Sequence, residues 1–261
     1  MFSTVAIVYN DSIIRFMILF FEVYIHKMKT KTRINKGTVL SAAMILITGI
    51  MITLTGVLSH QSILRMIPLY VSLAVGILQS RANRYANLIG GINALLYAAV
   101  YFYFGLYASA ANALFVSSPI QIATFIRWSK RSYKHSTKFR CLSAKSRMIL
   151  SFIFAVSFFA MYMILLALNS KYRLLDLSVS LISVVTSVLA LFSFMEYSWT
   201  MLGTGVFSIV LDISMMRDHP GQITYLIFSI YSMICIILQV ISVHKLYKKQ
   251  MEGYKNENNS F

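Results

Sequence analysis

Four sets of polar and small residues recur at helical spacing inside apolar stretches of this 261-residue chain. Gly90, Asn93, Tyr97 and Tyr101 step by three or four residues, as do Ser117, Gln121, Thr124 and Trp128. Ser198, Met201, Gly205, Ser208 and Asp212 make a third set, and Tyr225, Ser229 and Ser232 a fourth. That spacing puts each set on one helix face. Amide, hydroxyl and aromatic groups on such faces can hydrogen-bond and stack on a small polar solute. They can equally tie neighbouring helices together. Asp212 and Asp176 pose the same choice: Asp212 reaches water or headgroups, or faces a solute pathway, and Asp176 favours the dipole at its own helix start or faces that pathway.

Covalent and metal chemistry find no support. The histidines His26, His60, His135, His219 and His244 fall in loops or at segment ends, and the chain contains no HExxH or GxSxG. Cys141 lies in a basic loop and Cys235 in an apolar run, without C-x-x-C spacing. We expect no enzyme, no metal and no cofactor.

The elements that carry these faces are membrane spans. Hydrophobic residues make up 58% of the chain and charged residues only 12%, and the mean hydropathy is +0.70. A soluble domain carries about a quarter charged residues, whereas runs of about 20 apolar residues match a hydrocarbon core. Eight runs qualify: 37–57, 62–80, 86–104, 106–128, 147–168, 174–194, 197–216 and 221–243, here segments A to H. Segment B has Arg65 and Pro68 near one end, where the arginine can snorkel to headgroups.

The net charge of +16 sorts by side. Lys and Arg crowd the N-terminal tail, the B–C loop (Arg81, Arg84), the D–E loop from Arg127 to Arg147, and the tail after segment H. Only Arg65, Lys171, Arg173 and Arg217 fall on the other side. The positive-inside rule therefore puts both termini in the cytoplasm. Basic residues dispersed between spans read as topology signals rather than as a nucleic-acid surface; the D–E cluster is also able to meet anionic headgroups.

This topology makes the three-helix units B–C–D and F–G–H parallel, with E inverting the chain between them. Parallel repeats of this kind are a transporter plan with the solute site between repeats. The expected divisions are a cytoplasmic or interfacial segment 1–36, an extra span 37–57, a first repeat 62–128, a basic loop 129–146, a linker helix 147–168, a second repeat 174–243 and a cytoplasmic tail 244–261. In the first of these, Ile13 to Ile25 is apolar but too short to span. It is either an interfacial anchor or a stretch upstream of a true start at Met28. The tail from Gln250 onward reads as disordered.

The run Gly90-Gly-Ile-Asn93-Ala-Leu-Leu-Tyr97, then Leu106-Tyr107-Ala-Ser, Asn112, Pro119-Ile-Gln121 and Trp128, resembles the first repeat of PnuC-type vitamin transporters. Asp176, Ser183 and Glu196 keep the family's spacing in the second, and Ser208 and Tyr225 to Tyr231 resemble its last helices. The resemblance implies an all-α, SWEET-like 3+1+3 bundle with A as an extra N-terminal span, eight spans in all, assembled as a homotrimer in the cell membrane. It implies facilitated uptake of a nucleoside-like vitamin precursor, typically nicotinamide riboside. A cytosolic kinase would trap the solute, with no coupling ion or ATP. The substrate-binding set it implies is Asn93, Tyr97, Asn112, Gln121, Trp128, Ser208, Asp212, Tyr225 and Tyr231. The chain departs from the family pattern where Gly205 replaces an asparagine, Ser198 and Met201 replace tryptophans, and Phe228 replaces a second asparagine. A thiamine-type solute, or a non-transporting sensor or interaction paralogue, stands as the alternative.

Overall fold

The computed structural model describes residues 36–133, 136–168, 170 and 172–258, with side chains left aside at 36–40, 132–136, 220 and 253–258. The segment 1–35, with the choice between an anchor and a start at Met28, lies outside the described residues, as does Lys171. Among the described residues, eight helices are long and apolar enough to cross a membrane. They are α1 Lys36–Leu58, α2 Ile63–Ser80, α3 Tyr85–Tyr103, α4 Tyr107–Lys130, α5 Ala144–Ala167, α6 Arg173–Leu191, α7 Tyr197–Met215 and α8 Ile223–Asn258. Each predicted span has its helix, and two helices differ in kind from the expectation.

The first is α4, which is not a uniform helix. An α-helical turn at Tyr107–Ala111 leads into a π-helical turn at Asn112–Ser117 before the α-helix resumes at Ser118. Pro119 is the reason: it has no N–H to donate, and its ring collides with the carbonyl four residues back unless the preceding turn widens. The second is α8, which runs to Asn258 where a disordered tail was expected. Its extension is held by Gln250, which donates to the Thr137 carbonyl at 3.1 Å and accepts from the Phe139 N–H at 2.9 Å.

Six helices close a ring. Helix α2 packs on α3, α3 on α4, α4 on α6, α6 on α7, α7 on α8, and α8 back on α2. Helix α5 stands outside it against α6 and buries only Leu165, as a lipid-facing helix should. Two of the joining turns are alike. Ala82 after α2 (φ 49°) and Ser193 after α6 (φ 61°) both adopt the left-handed conformation. In each, the next residue's N–H bonds a carbonyl five residues back, Asn83 to Leu78 and Phe194 to Leu189, the pattern that satisfies orphan carbonyls at a helix end.

The 131–143 loop carries a small hairpin, Ser132–Tyr133 paired with Ser136–Thr137. It then lies along the α6–α7 turn: the Arg140 N–H donates to the Ser193 carbonyl, and the Met195 N–H donates back to Arg140. Glu196 accepts from the Leu142 N–H at 2.8 Å and pairs with Arg147 at 2.9 Å. Its family-like spacing therefore serves the loop, not a cavity.

The closure between α4 and α6 rests on Asp176. Leu106, which precedes α4, has no side chain able to accept from the helix's first N–H groups. Asp176, fully buried on α6, does so instead: it accepts from the Ala108 and Ser109 N–H groups, both at 3.1 Å, and from the Ser109 hydroxyl at 2.5 Å. The carboxylate thus caps a neighbouring helix and sits at its positive dipole end. Asp176→Ala strands those donors in a dry site, at a cost of roughly 3 kcal/mol. We expect its thermal midpoint in detergent to fall clearly below wild type, with Asp176→Asn intermediate; a wild-type midpoint for the alanine variant would contradict this role.

Candidate functional site

The ring encloses a column of three cavities that share lining residues. One, of about 120 Å³, reaches Trp128; a middle one is about 230 Å³; the third, about 210 Å³, reaches Asp212. Gln79, Gln121 and Ser183 border both the Trp128 and the middle cavities, Tyr97, Tyr101 and Ser208 border both the middle and the Asp212 cavities, and Thr204 borders all three. All four polar faces read from the sequence contribute to this column.

Asn93 is buried on α3 at the middle cavity. Its Nδ2 donates to the Pro68 carbonyl at 3.0 Å and to the Ser72 hydroxyl at 2.8 Å. Ser72 in turn donates to the Tyr97 hydroxyl at 3.1 Å, so α2 and α3 hold this pair in place. Gln121 reaches the same cavity from α4, pressed so close to α3 that a Cβ on Gly90 would lie 2.4 Å from its Oε1. Neither Asn93 Oδ1 nor Gln121 Oε1 has a hydrogen-bond partner. Buried polar atoms are paired in the great majority of cases; Gln222 and Gln239, further along the column, likewise carry an unpartnered amide oxygen. Asn112 opens the π turn, also at the middle cavity, with the Ser117 hydroxyl 3.5 Å from its Oδ1.

At the other end, Asp212 is buried, where headgroup or water contact was one expectation. Its carboxylate accepts from Gln222 Nε2 at 2.7 Å and from the Ser229 hydroxyl at 2.5 Å. Tyr225 lines that cavity and donates to the Arg65 carbonyl at 3.2 Å. Tyr231 lines the middle cavity and donates to the Leu73 carbonyl at 2.7 Å. Ser208 borders both cavities. Arg65 does not line the column: its guanidinium lies 3.9 Å from the Tyr103 ring centroid and 4.9 Å from that of Phe104, a cation–π seat at the end of α3. Outside the spans, Tyr172 donates to Asp218; burial first, and then that carboxylate, push its phenol up to about 12, so it stays a donor at neutral pH.

The sequence reading overlooked Thr204 and one entire face of α2, Ser72, Gly76 and Gln79, which lines the middle cavity. The signal was present, because these residues step by four and three like the other sets. Arg65 and Pro68 had drawn attention to that helix's end instead. No Lys, Arg or His lines any of the three cavities, and Asp212 is the one carboxylate among the described lining residues.

Trp128 has a second task. Its indole Nε1 donates to the Ala190 carbonyl at 2.9 Å, and its ring meets Phe139 and Tyr197 edge to face at 5.6 and 5.9 Å. That cluster binds α4, α6 and the 131–143 loop together beneath the column. Trp128→Phe keeps an aromatic group but loses the hydrogen bond and part of the indole's buried volume, at roughly 2 kcal/mol or more. We expect a fall of a few degrees in thermal midpoint; an unchanged midpoint would show that the bond contributes nothing.

Comparison with known proteins bears on the fold and the family. No curated protein sequence is similar enough to match. A solved structure, described as the crystal structure of the vitamin B3 transporter PnuC, superposes with a TM-score of 0.70 at 19% identity, covering 85% of this chain and 97% of that one; the two share a fold. The sequence profile described as nicotinamide mononucleotide transporter matches residues 62–243. That match spans well over half of the chain, from α2 into α8, so this multi-pass membrane protein belongs to the nicotinamide mononucleotide transporter (PnuC) family, whose members are transporters rather than enzymes.

Proposed function

We propose that this chain carries a dephosphorylated, nucleoside-like vitamin precursor through the column, with nicotinamide riboside as the leading solute. The observation that carries the reading is the pair of unpartnered amide oxygens, Asn93 Oδ1 and Gln121 Oε1, at the middle cavity. They are acceptors awaiting donors, and ribose hydroxyls and a carboxamide supply them. Aromatic rings from Tyr97, Tyr101, Tyr225 and Tyr231 offer stacking surface, with Asn112 and Ser208 adding polar contacts and Trp128 flooring the path. Among the described residues a phosphate has no basic partner here, since none of their Lys, Arg or His side chains lines the column.

The finer architecture is part of the same proposal. Spans α2–α4 and α6–α8 form two parallel repeats with α5 as the inverting linker, a SWEET-like 3+1+3 bundle, and α1 is an additional span. The closed six-helix ring and the matching left-handed turns at Ala82 and Ser193 support that reading. The clustering of Lys and Arg supports cytoplasmic termini in the plasma membrane. Assembly as a homotrimer and trapping of the solute by a cytosolic kinase follow from the family resemblance.

Titration of the purified protein with nicotinamide riboside, thiamine, riboflavin and nicotinamide mononucleotide tests this reading. We expect micromolar binding of the riboside and none of the mononucleotide. Asn93→Ala and Gln121→Ala should each weaken binding about tenfold, or 1.4 kcal/mol. Gly90→Ala, by displacing the Gln121 amide, should do the same while the fold holds. A folded protein that binds none of the four would overturn the proposal in favour of a non-transporting paralogue.

A further inference from the structure

We propose that the Asp212 end of the column is a binding station for an organic cation, in which Asp212 selects the positively charged ring of a solute over its neutral counterpart. This rests on the transport reading above and deepens it by assigning charge selectivity to one residue.

A buried carboxylate ordinarily has a cationic partner, because an isolated charge in a dry site costs several kcal/mol. Among the described residues Asp212 has none, and unlike Asp176, whose charge is met by two backbone N–H groups at the start of α4, it accepts from no backbone N–H. Its oxygens are engaged by two neutral groups, the Gln222 amide and the Ser229 hydroxyl, so the negative charge is positioned but not balanced. Arg65, at the same end, is spent on the rings of Tyr103 and Phe104 and does not line the cavity.

The rest of the cavity suits a cation of a particular kind. Tyr97, Tyr101, Phe104, Tyr225 and Phe228 line it, and Tyr97 and Tyr101 stack at 5.5 Å with planes 22° apart. Aromatic faces attract cations and favour delocalised ones that shed water easily. Tyr97, Tyr101 and Tyr225 all lie within electrostatic range of Asp212. Gln222 lines the same cavity, is 3% exposed, and has an Oε1 without a partner. A carboxylate, a free amide oxygen and a set of rings around about 210 Å³ match a flat heteroaromatic cation bearing a hydrogen-bond donor. A metal ion would instead call for several carboxylate or carbonyl oxygens, and Asp212 is the one carboxylate among the described residues that line this cavity.

The test compares nicotinamide riboside, whose pyridinium carries one positive charge, with its neutral dihydro form of nearly the same shape. Both are titrated into wild-type protein and into Asp212→Asn, which retains an acceptor of the same size. The wild type should bind the cation at least tenfold more tightly than the neutral form. Asp212→Asn should bring the two within about threefold by weakening the cation alone. Equal wild-type affinities, which need no variant to measure, would overturn this inference and leave the transport reading intact. So would an Asp212→Asn variant that weakens both forms alike, or binding of both that is lost when sodium is replaced by potassium. Binding of neither form by folded wild-type protein would overturn the transport reading, and this inference with it.

Discussion

The start of α4 is buried against α6, where protein groups rather than water must satisfy its donors, and the contact between Asp176 and α4 answers that constraint. Three donors at the beginning of α4 need an acceptor, none is at hand on α4 itself, and the carboxylate arrives from α6. Unsatisfied, each donor would cost a kcal/mol or more. The contact therefore fixes the seam where the two halves of the ring meet. The opposite seam, α8 against α2, is fixed by Tyr225 and Tyr231 donating to the Arg65 and Leu73 carbonyls. With both seams closed, the polar faces of the helices turn inward onto one column, and α5 is left to the lipid.

The polar groups serve two ends, which overlap at Asn93, whose Nδ2 also bonds the Pro68 carbonyl. Asp176, Trp128 and Glu196 bond backbone groups and hold elements together. Asn93 and Gln121 border a cavity with acceptors unused, and Asp212 carries a charge met only by neutral donors. The first set accounts for why the ring stands; the second accounts for why it is hollow. Gly90 connects the two, because its missing side chain is the space in which the Gln121 amide rests.

Much of this was legible in the sequence because hydropathy and helical period are local properties. The eight spans and the inward faces of α3, α4, α7 and α8 follow from spacing alone, and motifs on α4 pointed to the family. What was not legible depends on pairing at a distance. Nothing near Asp176 in sequence indicates that it caps a helix starting at Tyr107. Nothing near Gln250 indicates that it holds a loop at Thr137 and Phe139 and so keeps α8 helical past the apolar run. For Asp212 the sequence left headgroup contact and a pathway role both open, because its position along the helix gives its depth but not what covers it. The face of α2 was a different kind of miss, since Ser72, Gly76 and Gln79 carried the same period as the faces that were read.

The central claim is that the column passes a dephosphorylated solute down its gradient. Uptake of radiolabelled nicotinamide riboside and nicotinamide mononucleotide into liposomes holding the purified protein tests it most directly, with no ion gradient and no nucleotide supplied. The account predicts saturable entry of the riboside to equilibrium and no further, accelerated by unlabelled riboside inside, with the mononucleotide no faster than in empty liposomes. Entry of the mononucleotide at a rate comparable to the riboside, or of neither above empty liposomes, would contradict it.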